Sequence, residues 1–104
     1  MMKIIAYDHF RPGVTKRNIS DLLKQEMAHV WELQKAGVIR EIYSRADAPG
    51  AVVIFECGTL DEVKEHVAAF PLSKTGLLDW DFLALVAPLP FEVLFEKSLE
   101  NVVG

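Results

Sequence analysis

The chain has 104 residues, of which 51% are hydrophobic and 25% charged, and its formal net charge is −4. That length suits one domain, and the composition is that of a globular protein rather than a disordered one. The acidic balance argues against a nucleic-acid partner, and the single cysteine, Cys57, excludes a disulfide framework and a cysteine-based zinc site. We predict a cytoplasmic protein with no membrane partner, because the first apolar run (residues 4–6) is too short for a signal peptide.

The first half of the chain predicts a strand, a long helix and a hairpin. Residues 3–10 are rich in β-branched and aromatic side chains and stop at a Pro-Gly turn, which is typical of a strand. Apolar residues then recur at helical spacing between a predicted N-cap at Asn18 and a predicted stop at Gly37. The strand-like runs 38–45 and 51–57 flank a short loop that ends in Pro-Gly, so we expect them to pair antiparallel.

The second half predicts a capped helix, a strand and a tail. Residues 59–62 (Thr-Leu-Asp-Glu) form a capping box, and the helix that follows ends before Pro71. Residues 77–86 are the predicted fourth strand. We expect the extension 89–104 to be helical and to dock on a partner subunit, because four large apolar residues share one helical face: Phe91, Leu94, Phe95 and Leu99.

The predicted order is strand, helix, strand, strand, helix, strand over residues 1–88. It favours an α+β fold of the ferredoxin-like, split βαβ type, a four-stranded antiparallel sheet with both helices on one face. The strands 51–57 and 77–86 nevertheless carry apolar residues on both faces. Since one domain cannot cover the second face, we expect a homodimer or a higher homo-oligomer.

Three features carry a family resemblance. They are the run Leu33-Gln34-x-x-Gly37-x-x-Arg40, a Phe55-centred strand before the capped helix, and Phe70-Pro71-Leu72 after it. Over residues 3–90 the chain resembles the dimeric α+β-barrel superfamily and, within it, the muconolactone isomerase group. The resemblance implies the fold more strongly than the function, because the superfamily includes isomerases, cofactor-free oxygenases, haem-handling enzymes and ligand-binding modules. The tail departs from the pattern and gives no support for a shared substrate.

Glu26 interrupts the apolar face of the first predicted helix. A carboxylate in that position must be paired, protonated or in a cavity, since burying an isolated charge is costly. A desolvated Glu with a raised pKa suits proton transfer, and in the resembling family this position also tends to be acidic. The alternative is a tilted helix from which Glu26 reaches solvent or forms an ion pair with Arg40.

Five further residues are candidates for the site. His29 lies three residues after Glu26, so the two could share a proton as a catalytic pair, or His29 could be a half-buried structural residue. We predict that Arg40 shares a strand face with Val38 and Ile42 and lies beneath the helix that carries Glu26. From there it could bind a substrate carboxylate through two hydrogen bonds or pair with Glu26. The others are possible substrate-binding residues or ordinary strand residues: Tyr43, His9 and Glu56.

Two functional hypotheses follow. In the first, the protein is an isomerase that shifts a proton within a small hydrophobic acid or lactone, which requires an acid and a base but no cofactor. In the second, it is a non-catalytic small-molecule-binding or stress-associated module of the same fold, and a cofactor-free oxygenase is a close variant of the first. The histidines lack metal-ligand spacing and no glycine-rich phosphate loop is present, so we expect neither a metal nor a nucleotide.

Overall fold

The computed structural model describes residues 1–95, which form a four-stranded antiparallel sheet with helices packed on one face. The four strands are β1 (Met2–Phe10), β2 (Ile39–Ser44), β3 (Ala51–Cys57) and β4 (Leu78–Leu85). The three α-helices are α1 (Lys16–Ile19), α2 (Leu23–Lys35) and α3 (Leu60–Ala68). The order across the sheet is β2-β3-β1-β4, and this confirms the predicted ferredoxin-like α+β arrangement.

The first helical region differs from its prediction at its start. It begins after Thr15 rather than after Asn18, because the Asn18 side chain accepts a hydrogen bond from the Thr15 backbone N–H at 2.7 Å. A 3₁₀ turn, Ser20–Leu22, then separates α1 from α2. Gly37 ends α2 as predicted, with a φ of +78° that glycine adopts without a steric penalty.

The capping box predicts the start of α3 correctly. The Thr59 hydroxyl accepts a hydrogen bond from the Glu62 N–H at 3.2 Å, and the Glu62 carboxylate accepts one from the Gly58 N–H at 3.2 Å. These two bonds satisfy backbone donors that the first turn of a helix leaves without partners. Two further 3₁₀ turns complete the described chain: Ser73–Thr75 and Leu89–Phe95.

The hydrophobic core lies between the helices and one face of the sheet. The strands contribute Ile4, Val53 and Phe55, which are at most 1% exposed, and the helices contribute Val30 and Val63. Side chains alternate along a strand, so the core also fixes which residues of each strand face the helices. That alternation decides the position of every candidate residue on the sheet.

A bulge in β2 reverses the predicted orientation of the Arg40 side chain. Ile39 lies opposite Phe55 and Glu41 opposite Ile54, so Arg40 is an extra residue on its strand. Ile39 therefore faces the helices, whereas Arg40 points to the other side of the sheet and pairs with Glu56 there. The prediction that placed Arg40 beneath the helices was wrong, because it assumed unbroken alternation.

The opposite face of the sheet, which we call the open face, remains partly exposed in one copy of the chain. Its apolar residues include Tyr7 and Ile54, which are half-buried, and Leu83 and Leu85, which are 51% and 37% exposed. This is the face that the sequence predicts a second copy to cover. No helix within residues 1–95 has both the length and the apolar character needed to cross a membrane.

The described part of the tail is a 3₁₀ turn rather than an α-helix. Its apolar side chains project into solvent, with Phe91 58%, Leu94 68% and Phe95 85% exposed. Leu99, the fourth residue of the predicted apolar stripe, lies outside the described residues. Docking of the tail on a partner subunit stays a prediction.

Candidate functional site

A cavity of about 310 Å³ lies between α2 and the sheet. Its apolar walls come from helices, strands and loops, and they include Phe10, Leu23, Met27, Val30, Phe70 and Trp80. The volume is near the lower end of the range found for small-molecule pockets, roughly 300–1,000 Å³. The cavity is therefore large enough for a small, largely apolar ligand.

A wider groove of about 780 Å³ runs along the end of the sheet where β1 begins and β4 ends. Its two charged residues are Lys3 and Glu56, and neither is buried. Water screens charges in such an open groove, so it offers little control over chemistry. The smaller cavity beneath α2 is the better candidate site because it combines apolar walls with buried carboxyl groups.

Glu26 projects from α2 into this cavity and is only 7% exposed. Its Oε1 accepts a hydrogen bond from the Leu72 backbone N–H at 3.0 Å. Burial raises the pKa of Glu26, the hydrogen bond from Leu72 opposes that rise, and the nearby charge of Asp8 adds to it. Glu26 thus has the desolvated environment that the helical pattern indicates.

Asp8 is a second carboxyl group in the same cavity, and sequence analysis does not identify it as a candidate. It is 5% exposed, and its Oδ1 accepts a hydrogen bond from the Ala51 backbone N–H at 2.8 Å. Burial has the largest effect on the pKa of Asp8 and raises it, whereas the hydrogen bond from Ala51 and the charges of His9 and Arg45 lower it. The signal in the sequence is alternation, since Asp8 shares a strand face with the buried residues Ile4 and Ala6.

The close approach of the β2–β3 loop to Asp8 requires glycine at position 50. Gly50 has a φ of +146°, and a Cβ there would lie 2.7 Å from both the backbone oxygen and Oδ1 of Asp8. A real Cβ atom would displace one of the two segments. Gly50 therefore allows the loop to close over Asp8, with Ala51 in place to donate its N–H.

The two carboxyl groups share an apolar environment with little positive charge. One oxygen of each accepts a backbone N–H, and within residues 1–95 the other oxygen has no hydrogen-bond partner. Lys16 is the one basic residue among the described residues that line the cavity, and it is exposed. The charge of Asp8 adds to the effect of burial in raising the pKa of Glu26, so the arrangement favours a proton on Glu26.

His29 lies on α2 near Glu26 but does not line the cavity. Its ring packs edge-on against Phe70, with the ring centroids 5.0 Å apart and an interplanar angle of 78°. Its Nε2 atom is buried and has no hydrogen-bond partner within residues 1–95. The structure therefore does not bring Glu26 and His29 together as a pair around one cavity.

The remaining candidates lie on the open face and interact with other residues there. Arg40 Nε is 3.0 Å from a Glu56 oxygen, so Arg40 does not form the ion pair with Glu26 that was the alternative to substrate binding. The Tyr43 hydroxyl donates a hydrogen bond of 2.6 Å to Glu41. Finally, His9 Nδ1 lies 3.6 Å from an Asp81 oxygen. The sheet separates all four predicted substrate-binding residues from the cavity.

Within the described part of the chain, no group of three or more His, Cys, Asp or Glu side chains is arranged to hold a metal ion. Cys57 is buried at the end of β3, and burial raises the pKa of its thiol. A raised pKa keeps the thiol protonated and unreactive. The buried chemistry of the described domain thus centres on Glu26 and Asp8.

Comparison with known proteins agrees with this architecture. Residues 5–87 match the muconolactone delta-isomerase family, whereas no curated protein gives a significant match. Among solved structures, the chain is similar to the 5-chloro-2-hydroxyhydroquinone dehydrochlorinase of Burkholderia phenoliruptrix in complex with 2,5-dihydroxybenzoquinone.

That likeness has a TM-score of 0.66 at 22% sequence identity, and it covers 84% of this chain and 94% of the other. At this identity it concerns the fold alone, and it confirms the predicted dimeric α+β-barrel fold. The family match spans residues 5–87, which is most of the sequence. The chain belongs to the muconolactone delta-isomerase family.

Proposed function

We propose that this protein is an isomerase that moves a proton between two carbons of a small hydrophobic acid or lactone. The observation that carries this proposal is Glu26, a buried carboxyl group in a ligand-sized apolar cavity, with one oxygen free of protein partners within residues 1–95. A general acid or base must reach the substrate and have a pKa near the working pH. Burial moves the pKa of Glu26 in that direction.

The cavity walls suit a small planar or ring-shaped substrate. Trp80 and Phe10 offer aromatic surface on the sheet side, and Leu23 and Met27 close the helix side. Lys16 lines the same cavity and is exposed, so it can attract the carboxylate of an organic acid. The ligand would then place its apolar part beside Glu26 and its charged end toward Lys16.

The proposed reaction needs only proton transfer. A carboxylate removes a proton from a carbon next to an unsaturated lactone or acid, and the electron pair of the broken C–H bond enters the conjugated system. A proton is then delivered to another carbon of that system, so the double bond has moved and the composition is unchanged. The family name supports this reaction class, since a delta-isomerase relocates a double bond.

We also propose that a second copy covers the open face. Support comes from its half-buried and exposed apolar residues, Tyr7, Ile54, Leu83 and Leu85, which one copy leaves in contact with water. A homodimer with sheets face to face would remove that surface from solvent. The tail of a neighbouring copy is the second apolar segment available for such contacts.

The direct test uses muconolactone as the probe and proton NMR as the measurement. We expect the wild-type protein to relocate the double bond, and Glu26→Gln to lower kcat/KM by about 100-fold or more, since general acid–base groups contribute roughly 10²–10⁴-fold. Glu32→Gln is the matched control, because Glu32 lies on the same helix, is exposed and pairs with Lys35 at 3.0 Å. Equal activity in the two variants would overturn the role of Glu26.

A binding measurement separates the isomerase from the alternative, a non-catalytic binding module. The chain has two tryptophans, and Trp31 is 55% exposed whereas Trp80 lines the cavity. In a Trp31→Phe variant, quenching of fluorescence by muconolactone reports occupancy beside Trp80. Binding with no turnover, by either wild-type or variant protein, would favour the binding module.

A further inference from the structure

Asp8 is the buried titratable group that the proposed reaction leaves unused. We propose that Asp8 is the second acid–base residue of this cavity, and that Asp8 and Glu26 form a carboxyl pair that carries one proton between its members. The proposal rests on the proposed function for its chemistry. Its structural basis, two buried carboxyl groups that line one ligand-sized cavity, is independent of any particular substrate.

The chain holds Asp8 in place from several sides. Asp8 pairs in register with Trp80 of β4, so both side chains stand on the helix-facing side of the sheet. The Ala51 N–H fixes Oδ1 at 2.8 Å, and Gly50 leaves the space that this approach requires. Oδ2 has no hydrogen-bond partner within residues 1–95 although the residue is only 5% exposed, so it is available to a ligand in the cavity.

The surroundings of the two groups assign different roles to them. Asp8 receives the Ala51 N–H and lies near the positive charge of Arg45 and, when protonated, that of His9. Glu26 receives one N–H, from Leu72, and lies near the negative charge of Asp8. Asp8 therefore keeps the negative charge more readily and Glu26 holds the proton, because their different environments separate the two pKa values.

The pair supplies both halves of the proton shift. Asp8, as the carboxylate, takes the proton from the substrate carbon, and the electron pair of that bond moves into the conjugated system. Glu26, as the carboxylic acid, gives its proton to the distant carbon and becomes the carboxylate. The pair has then exchanged protonation states, and transfer of one proton from Asp8 to Glu26 restores it with no other reactant.

The closing experiment measures the pKa of each group by carbon-detected NMR titration of the carboxyl carbons in the intact protein. We expect Asp8→Asn to lower the pKa of Glu26 measurably, since it removes a nearby like charge. The amide side chain introduced by this substitution keeps an oxygen that can accept the Ala51 N–H, so the fold should persist. Asp61→Asn is the control, because Asp61 is exposed in the first turn of α3 and should leave Glu26 unchanged.

The reciprocal variant tests the same coupling from the other side. Glu26→Gln should leave the main ionisation of Asp8 in place, because Glu26 is still neutral when Asp8 ionises, and should remove the second step that the pair shows at higher pH. If Glu26 titrates identically in the wild type, Asp8→Asn and Asp61→Asn, the carboxyl pair does not exist and the proposal fails. That outcome is independent of whether muconolactone is a substrate.

Isotope incorporation then tests the catalytic half of the proposal. In a single turnover of muconolactone by protein equilibrated in D₂O, the pair predicts that the new C–H bond of the product carries deuterium, because the proton that Glu26 delivers is not the proton that Asp8 removes. Asp8→Asn should lower kcat by about 100-fold or more. Coupled titration without turnover would refute the proposed isomerase but keep the pair, whereas turnover at the wild-type rate in Asp8→Asn would refute the role of Asp8.

Discussion

Charged side chains on the two faces of the sheet have different kinds of partner. On the helix-facing side, Asp8 and Glu26 are 5% and 7% exposed, and each carboxyl group bonds to a backbone N–H rather than to a basic side chain. On the open face, Arg40 bonds to Glu56 and His9 lies near Asp81, with their side chains in contact with water. Charge is thus left uncompensated on the helix-facing side and neutralised locally on the open face.

This difference indicates where chemistry is concentrated. Exposed ion pairs contribute little because water screens them, typically about 0–1 kcal/mol. A buried carboxyl group without a cationic partner costs stability, and sites that bear such a cost are commonly functional. The residue types on the open face resemble a substrate-binding set, but each of these side chains interacts with another side chain of that face.

The largest difference in the free energy of unfolding should come from truncating two neighbouring residues of β3 that point to opposite faces of the sheet. Phe55→Ala, on the helix-facing side at 0% exposure, should lower the free energy of unfolding by about 3–5 kcal/mol. Ile54→Ala, on the half-buried open face, should cost clearly less in a dilute sample. Denaturant unfolding of both variants measures the contrast, and equal losses would show that one copy of the chain buries both faces alike.

Protein concentration sharpens this contrast. If a second copy covers the open face, the melting temperature of the wild type rises with concentration, because association stabilises the folded state. Ile54→Ala should weaken that rise, whereas Phe55→Ala should lower the whole curve. A wild-type melting temperature that does not change with concentration would contradict the proposed homodimer.

Much of the fold is predictable from the sequence because hydrophobic periodicity fixes the elements. Glu26 is predictable for the same reason, since one carboxylate among helical apolar positions conflicts with the pattern. Asp8 follows the alternation of its strand just as clearly, but a polar residue near the end of a strand is also typical of a turn. Only the tertiary structure shows that the β2–β3 loop encloses it.

The misplaced candidates have equally physical explanations. The β-bulge at Arg40 changes the side-chain alternation by one residue, and no turn residue or break in the apolar pattern announces it. His29 lies at the edge of the helical stripe, where a small rotation of the helix separates a cavity-facing position from one packed on Phe70. Bulges and helix rotations depend on packing between distant segments, which local patterns do not contain.

The next largest effect should be a pH-dependent gain in stability when the carboxyl group of Glu26 is replaced by an uncharged amide. Burial raises the pKa of Glu26 in the folded state, so the folded protein binds its proton more tightly than the unfolded chain does. As pH rises above the unfolded pKa, roughly 4.3, the unfolded state ionises first and stability falls until the folded pKa is passed. Below the unfolded pKa, Glu26 is protonated in both states, so stability carries no penalty for burying its charge.

Glu26→Gln removes this titration. We expect its melting temperature to equal that of the wild type at about pH 3.5, below the unfolded pKa of roughly 4.3, and to exceed it at about pH 8. Asp47→Asn should show the opposite trend, because an ion pair with Arg45 lowers the pKa of Asp47 and so stabilises the folded state above the unfolded pKa. A difference between Glu26→Gln and the wild type that does not vary with pH would mean that Glu26 titrates normally.

The smallest effect should come from the ion pair between Arg40 and Glu56. The two side chains are 56% and 34% exposed, so Arg40→Gln should change the free energy of unfolding by less than about 1 kcal/mol. Ligand quenching of Trp80 should be unaffected, because the sheet lies between Arg40 and the cavity. Glu56→Gln and the double variant complete a cycle that isolates the pairwise energy.

If Arg40→Gln instead abolished muconolactone binding, the open face would belong to the substrate site and the separation of the two faces would fail. A loss of stability that appears only in concentrated samples, where a second copy is bound, would place Arg40 in the contact between copies, because a weakened contact costs nothing when both proteins are monomeric.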